Sequence, residues 1–96
     1  MHCHAFTLAV DRICHGGGEA FVRVDGNGEV SHSVYRLPNT QICIDETGVV
    51  RLDSVPGLTW RRASMAEIAA MATRRSMGHR ARAVLASIAR ARFAPN

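Results

Sequence analysis

The chain has 96 residues, with 12 arginines, no lysine, 8 carboxylates, 3 cysteines and 5 aromatics, for a formal net charge of +4. That length suits one domain spanning 1–96, and an apolar fraction of 47% is ordinary for a globular protein and argues against wholesale disorder. The longest uninterrupted apolar run, Ile68 to Ala72, is far short of a membrane span, and Ala5 to Val10 is too short for the core of a signal peptide. A cytoplasmic protein with reduced thiols, and no membrane partner, is the expectation.

In chain order, the first 54 residues read mainly as strands. Ala5 to Ile13 alternates β-formers (Phe6, Leu8, Val10) until Gly16-Gly17-Gly18 interrupts it. Ala20 to Val24 is a second short run. Asp25-Gly26-Asn27-Gly28 then supplies two overlapping signals for a tight hairpin, because Asp-Gly and Asn-Gly tolerate positive φ. Val30 to Leu37 follows and ends at Pro38-Asn39. Gln41 to Asp45 and Val49 to Asp53 flank a three-residue hairpin loop at Glu46-Thr47-Gly48.

After Pro56-Gly57 the period becomes helical. Ser64-Met65-Ala66-Glu67 has the form of a capping box, with the serine hydroxyl on the third amide and the glutamate reaching back to the cap amide. Met77, Ala81, Val84, Leu85 and Ile88 make an apolar stripe, and Gly78 favours a break near Ser76 to Gly78 over one kinked helix from Ser64 to Arg92. The expected class is α+β: a small antiparallel β-meander of four to five strands, followed by one or two C-terminal helices packed on one face. The second half, 61–93, is the basic helical segment.

Charge divides at the same place. From Met1 to Trp60 four arginines meet seven acids, a net of −3; from Arg61 onward eight arginines meet Glu67 alone, a net of +7. On a helical wheel starting at Met77 the apolar stripe spans about 340° through 80°, while Arg82, His79 and Arg90 fall at about 140°, 200° and 220° and Arg80 at about 300°. Arg74 and Arg75 close the preceding helix, and Arg61 and Arg62 precede the cap. A stripe of this kind suits a phosphate backbone or an acidic protein surface. Arg61, Arg62, Arg74, Arg75, Arg80, Arg82 and Arg90 are the candidate binding residues.

Catalytic signatures are thin. No Walker loop, Gly-x-Ser-x-Gly, His-Glu-x-x-His or dinucleotide fingerprint occurs. Cys14-His15, adjacent in a strand, would face opposite sides and make no nucleophile–base pair, and the acids lack a paired setting. His2, Cys3, His4, Cys14 and His15 are weak metal candidates by residue type, because in a strand Cys3 would face away from His2 and His4. No cofactor is implied, and an odd number of cysteines argues against a disulfide framework.

The expectation is therefore a non-catalytic binding protein whose arginine-rich helical face engages nucleic acid or a nucleic-acid-handling complex. The alternative is an inhibitor of the kind that phages and mobile elements use to block a host defence complex, anti-CRISPR-like, acting by protein–protein contact. A homodimer through the second sheet face is a further option.

Overall fold

The structure, a computed structural model, describes residues 2–72 and 76–93, with side chains as far as Ala91. The chain opens with a helix, α1 (Cys3–Ile13), where alternation predicted a strand. The same residues carry a second pattern: Cys3, Phe6, Thr7 and Val10, at helical spacing, are all buried. Ala5 and Ala9 add helix propensity, and burial of the 3-6-7-10 stripe outweighs the β-preference of its members. The helix stops in a Schellman motif. His15 adopts φ 54°, its amide bonds Arg12 O at 3.2 Å, and the Gly16 amide bonds Asp11 O at 2.9 Å.

The strands are β1 (Glu19–Val24), β2 (Val30–Arg36), β3 (Cys43–Asp45), β4 (Gly48–Val50) and β5 (Thr59–Ala63). They form one antiparallel sheet in the order β4-β3-β2-β1-β5. Four of these match predicted strands. The fifth is Thr59–Ala63, which pairs along the free side of β1 in place of the expected N-terminal strand. At the β1–β2 hairpin Asp25 Oδ1 accepts from the amides of Asn27 (2.8 Å) and Glu29 (3.0 Å), and Gly28 takes φ 79°.

Helices α2 (Met65–Met71) and α3 (Gly78–Phe93) follow, so the predicted C-terminal helices are two. Ser64 caps α2 as expected, its hydroxyl accepting from the Glu67 amide at 3.1 Å. The Glu67 carboxylate, however, does not return to the cap amide; Arg61 holds it by two bonds of 2.9 and 2.6 Å. An arginine fork three residues before the N-cap holds both carboxylate oxygens, which a single backbone amide does not.

The helices share one sheet face, with α1 lying over β2 and touching both α2 and α3. Phe6, Val10, Tyr35, Ile44, Ala81 and Val84 form one cluster under α1 and α3; Ala20, Val22, Ala63 and Ile68 form another under α2. Val34 points to the opposite face, in register with Phe21, yet is only 1% exposed. The link from Arg51 to Leu58 joins opposite edges of the sheet across that face. Leu52 shares a cavity with Phe21 and Cys43 there, and the Trp60 indole donates to Asp53 O at 3.3 Å.

Both ends of α1 are pinned to β2. At its start, His4 Nδ1 lies 2.8 Å from Ser33 Oγ, and Thr7 Oγ1 lies 3.2 Å from the same atom. At its end, the buried Tyr35 hydroxyl donates to Asp11 at 2.7 Å and accepts from the Gly18 amide at 2.8 Å. A Cβ at Gly18 would sit 2.4 Å from the Tyr35 ring and from Arg36 O, so only glycine permits this clamp. Between these anchors the register of helix on strand is fixed.

Candidate active site

That register places Cys3, the first residue of α1, against β2. β3 pairs with β2 only at Tyr35 and Arg36, so β2 runs on past it, and the first turn of α1 meets the strand along this stretch. Cys3 faces the His32 side chain and the backbone and hydroxyl of Ser33, close enough to be electrostatically coupled to them. His32 Nε2 lies 2.9 Å from Asp45 Oδ2. Asp45 is itself held by Thr47, whose amide (2.8 Å) and hydroxyl (2.5 Å) both donate to Oδ1. Hydrogen bonds join His32, Asp45 and Thr47, and Cys3 stands beside His32, with Cys3 5% and Asp45 6% exposed.

Each member is electrostatically biased. Burial pushes the Cys3 thiol up, but the His32 hydrogen bond, the Ser33 amide and the charge of His32 together bring it below the ordinary thiol value. The Cys3 bond raises His32 above the usual imidazole range against the effect of burial, with Asp45 adding to the rise. Burial would raise Asp45, yet Thr47 and His32 hold it below the usual carboxylate range. His4 goes the other way, lowered by burial and by the charge of His32, which suits a neutral ring bonded to Ser33.

The helix end adds to this bias. No acid occupies the first turn of α1, and the His2 side chain does not cap it. The amides of that turn point toward the sulfur end of the helix, where the positive pole of the dipole favours a thiolate. Trp60 meets His32 edge-on at 6.4 Å between ring centres, and the Arg23 guanidinium lies 5.9 Å from the Trp60 ring. The indole shields one side of the imidazole from water.

The predicted metal candidates do not converge. Cys14 and His15 sit at the far end of α1, about 16 Å along an 11-residue helix from Cys3. Among the described residues no group of three His, Cys, Asp or Glu side chains is placed to hold a metal ion.

The predicted arginines whose side chains are described are all exposed, and three of them are tethered. Arg61 pairs with Glu67, and Arg62 with Glu19 at 2.5 Å. Glu19 also pairs with Arg36, so it serves two cations. Arg80 donates from Nε to Glu46 O at 2.9 Å. Arg82 and Arg90 are exposed on α3, while Arg74 and Arg75 lie outside the described residues. No described helix is long and apolar enough to cross a membrane.

Sequence reasoning missed the Cys3–His32–Asp45 chain because it placed Cys3 on a strand and tested only Cys14 with His15 as a nucleophile pair. The usable signal was the buried 3-6-7-10 stripe, which puts Cys3 at a helix start on the sheet side. None of the family models, curated proteins or solved structures compared with the chain matches it, and the functional reading rests on the geometry of these residues.

Proposed function

We propose that the protein is a cysteine-dependent acyl-transfer enzyme, hydrolysing or transferring the acyl group of an ester, thioester or amide. The observation that carries this is the juxtaposition of Cys3 with His32, whose Nε2 lies 2.9 Å from the buried Asp45. The Cys3 thiolate attacks the carbonyl carbon, and the developing oxyanion is met by amides of the first turn of α1. His32 then gives a proton to the leaving oxygen, sulfur or nitrogen, and an acyl-cysteine thioester remains. Water or another acceptor, deprotonated by His32, attacks that thioester and releases the thiol. Asp45, on Nε2, keeps the imidazole oriented and supports its positive charge. This reading departs from the expectation of a non-catalytic module.

Because Cys3 is nearly buried, small reagents are the right probes. With p-nitrophenyl acetate the full chain gives a burst of nitrophenolate and an acetyl group on Cys3 by mass spectrometry; Cys3→Ser gives neither. A burst that survives Cys3→Ser refutes the proposal.

A second reading is favoured by the exposure of Arg82 and Arg90 on α3. It keeps the cationic helix as a contact for nucleic acid or for an acidic surface of a nucleic-acid-handling complex, the inhibitor of a host defence complex included. Charge reversal at both positions then weakens salt-dependent binding and leaves the fold intact. A partner that stays bound after nuclease treatment favours the protein-directed form.

A further inference from the structure

Ser33 in β2 is fully buried, and its hydroxyl is the meeting point of three side chains from the start of α1. His4 Nδ1 lies 2.8 Å from Ser33 Oγ, and Thr7 Oγ1 lies 3.2 Å from it. Cys3 faces the same hydroxyl and the Ser33 backbone. Helical spacing brings them together, because Thr7 stands three residues after His4 and four after Cys3, on one side of the helix. Thr7 is fully buried as well, whereas His4 is partly exposed and, among the described residues, bonds no carboxylate. One of these contacts would pin the helix to the strand; three neighbours around one hydroxyl also fix where its proton goes.

A serine hydroxyl has one proton to donate and two lone pairs that accept, and a neutral imidazole carries its proton on one nitrogen only. Burial and the charge of His32 both lower His4, which keeps its ring neutral. Two arrangements then exist. With the proton on Nδ1, His4 and Thr7 both donate to Ser33, its lone pairs are filled, and its own proton points at the third neighbour, the Cys3 sulfur. With the proton on Nε2, the bare Nδ1 takes the Ser33 proton and the sulfur loses that donor. A thiolate only accepts, and a hydrogen bond to ionised sulfur is stronger than one to a neutral ring nitrogen, so the thiolate favours the first arrangement. We propose that His4 and Ser33 are positioning residues for the Cys3 nucleophile, the Nδ1–H of His4 turning the one Ser33 proton onto the thiolate. This rests on the cysteine-dependent reading above and adds to it a second arm, separate from the His32–Asp45 pair.

The test reads how fast iodoacetamide labels Cys3 at pH 6 in the full chain, by mass spectrometry of the labelled peptides, with Cys14 as the reference. Ser33→Ala removes the hydroxyl and keeps the amide; His4→Phe keeps a ring without the donor. Each should slow Cys3 by about threefold to tenfold, since one bond to a charged sulfur is worth about tenfold in thiolate and the freed thiolate regains part of that as nucleophilicity. His4→Asn, whose Nδ2 stands where Nδ1 stood and donates, should return the rate to within about twofold of the parent. A merely structural His4 would give the Phe and Asn variants the same rate. Long-range ¹⁵N–¹H NMR of the parent's imidazoles should find the His4 proton on Nδ1. A bare Nδ1, no slowing in Ser33→Ala and His4→Phe, or no rescue by His4→Asn refutes the positioning role, and Cys3 still outpacing Cys14 then leaves the nucleophile standing. If Cys3 and Cys14 label alike in the parent, the nucleophile falls and this second arm falls with it.

Discussion

The two ends of α1 carry the same chemistry and are put to opposite use. Cys3 beside His4 starts the helix, and Cys14 beside His15 ends it. At the start, hydrogen bonds from His32 and Ser33 overcome burial and lower the thiol; at the end, burial and the charge of Asp11 raise it. The helix dipole reinforces the contrast, since its positive pole faces Cys3 and its negative pole faces Cys14. Residue type therefore says little about a cysteine; the pole of the helix it occupies and the group across from it decide whether it is a nucleophile. Cys43 is raised by burial with Arg36 as a partial offset, so it is the third thiol against which the two helix ends can be compared.

The largest effect expected is from removing the base. In the unmodified chain, iodoacetamide should label Cys3 at pH 6, whereas Cys14 and Cys43 should react only as pH rises through and beyond the ordinary thiol range. The sign follows from the shifts: Cys3 is lowered, so its thiolate persists to more acid pH, and His32 is raised, so the imidazolium that stabilises it persists to more alkaline pH. His32→Ala should cut the Cys3 rate at pH 6 by well over about tenfold, because the group that favours the thiolate is gone, and leave Cys14 unchanged. Mass spectrometry of peptides labelled at each cysteine reads all three at once. Equal rates for Cys3 and Cys14 in the unmodified chain would erase the comparison.

How much of this was legible in the sequence differs along the chain. The hairpin at Asp25 to Gly28, the cap at Ser64 and the split into two C-terminal helices were readable because local chemistry dictates them: an Asx turn, a side-chain cap, a glycine in a helical run. Four strands were readable from alternation. The first element was misread because Phe6, Leu8 and Val10 satisfy a period of two while Cys3, Phe6, Thr7 and Val10 satisfy a period of 3.6, and only the sheet beneath chooses between them. β5 was missed because Arg61 and Arg62 look like a charged leader to a helix; they are strand residues whose neighbour across the ladder, β1, lies some 40 residues earlier. The site depends on that same long-range pairing, since Cys3, His32 and Asp45 come from three elements and share no local motif.

A smaller effect is expected at the orienting carboxylate. Asp45→Asn keeps the shape but withdraws the charge that faces His32, and the tautomer of the ring is no longer enforced. Cys3 alkylation should fall by about tenfold at pH 6, less than for His32→Ala because Ser33 and the helix pole still act on the sulfur. Stability should fall too, by about 1–3 kcal/mol at pH 7 for a buried, multiply bonded carboxylate. Asp45 is held below the ordinary carboxylate value in the fold, so its contribution is present above that value and fades as pH falls through the lowered one. Urea melts at pH 7 and pH 3 should thus show the gap between variant and parent closing in acid. A gap that widens in acid would mean that Asp45 is not ionised in the fold.

The smallest effect on the sulfur, and the sharpest check on the two ends, comes from the far clamp. Tyr35→Phe removes the hydroxyl that joins Asp11 to the Gly18 amide and leaves the ring in place between Phe6 and Ile44. The loss should be about 1–2 kcal/mol, the cost of stranding a buried amide and one side of a carboxylate. Yet the near end of α1 keeps its own ties, His4 and Thr7 to Ser33 and Cys3 to His32, so the Cys3 rate should stay within about twofold of the parent as expected for separated, additive sites. If α1 instead acts as a rigid lever, loosening its end displaces its start, and the Cys3 rate falls with stability. The ratio of the two responses tells whether the nucleophile is held by its immediate neighbours or by the whole helix.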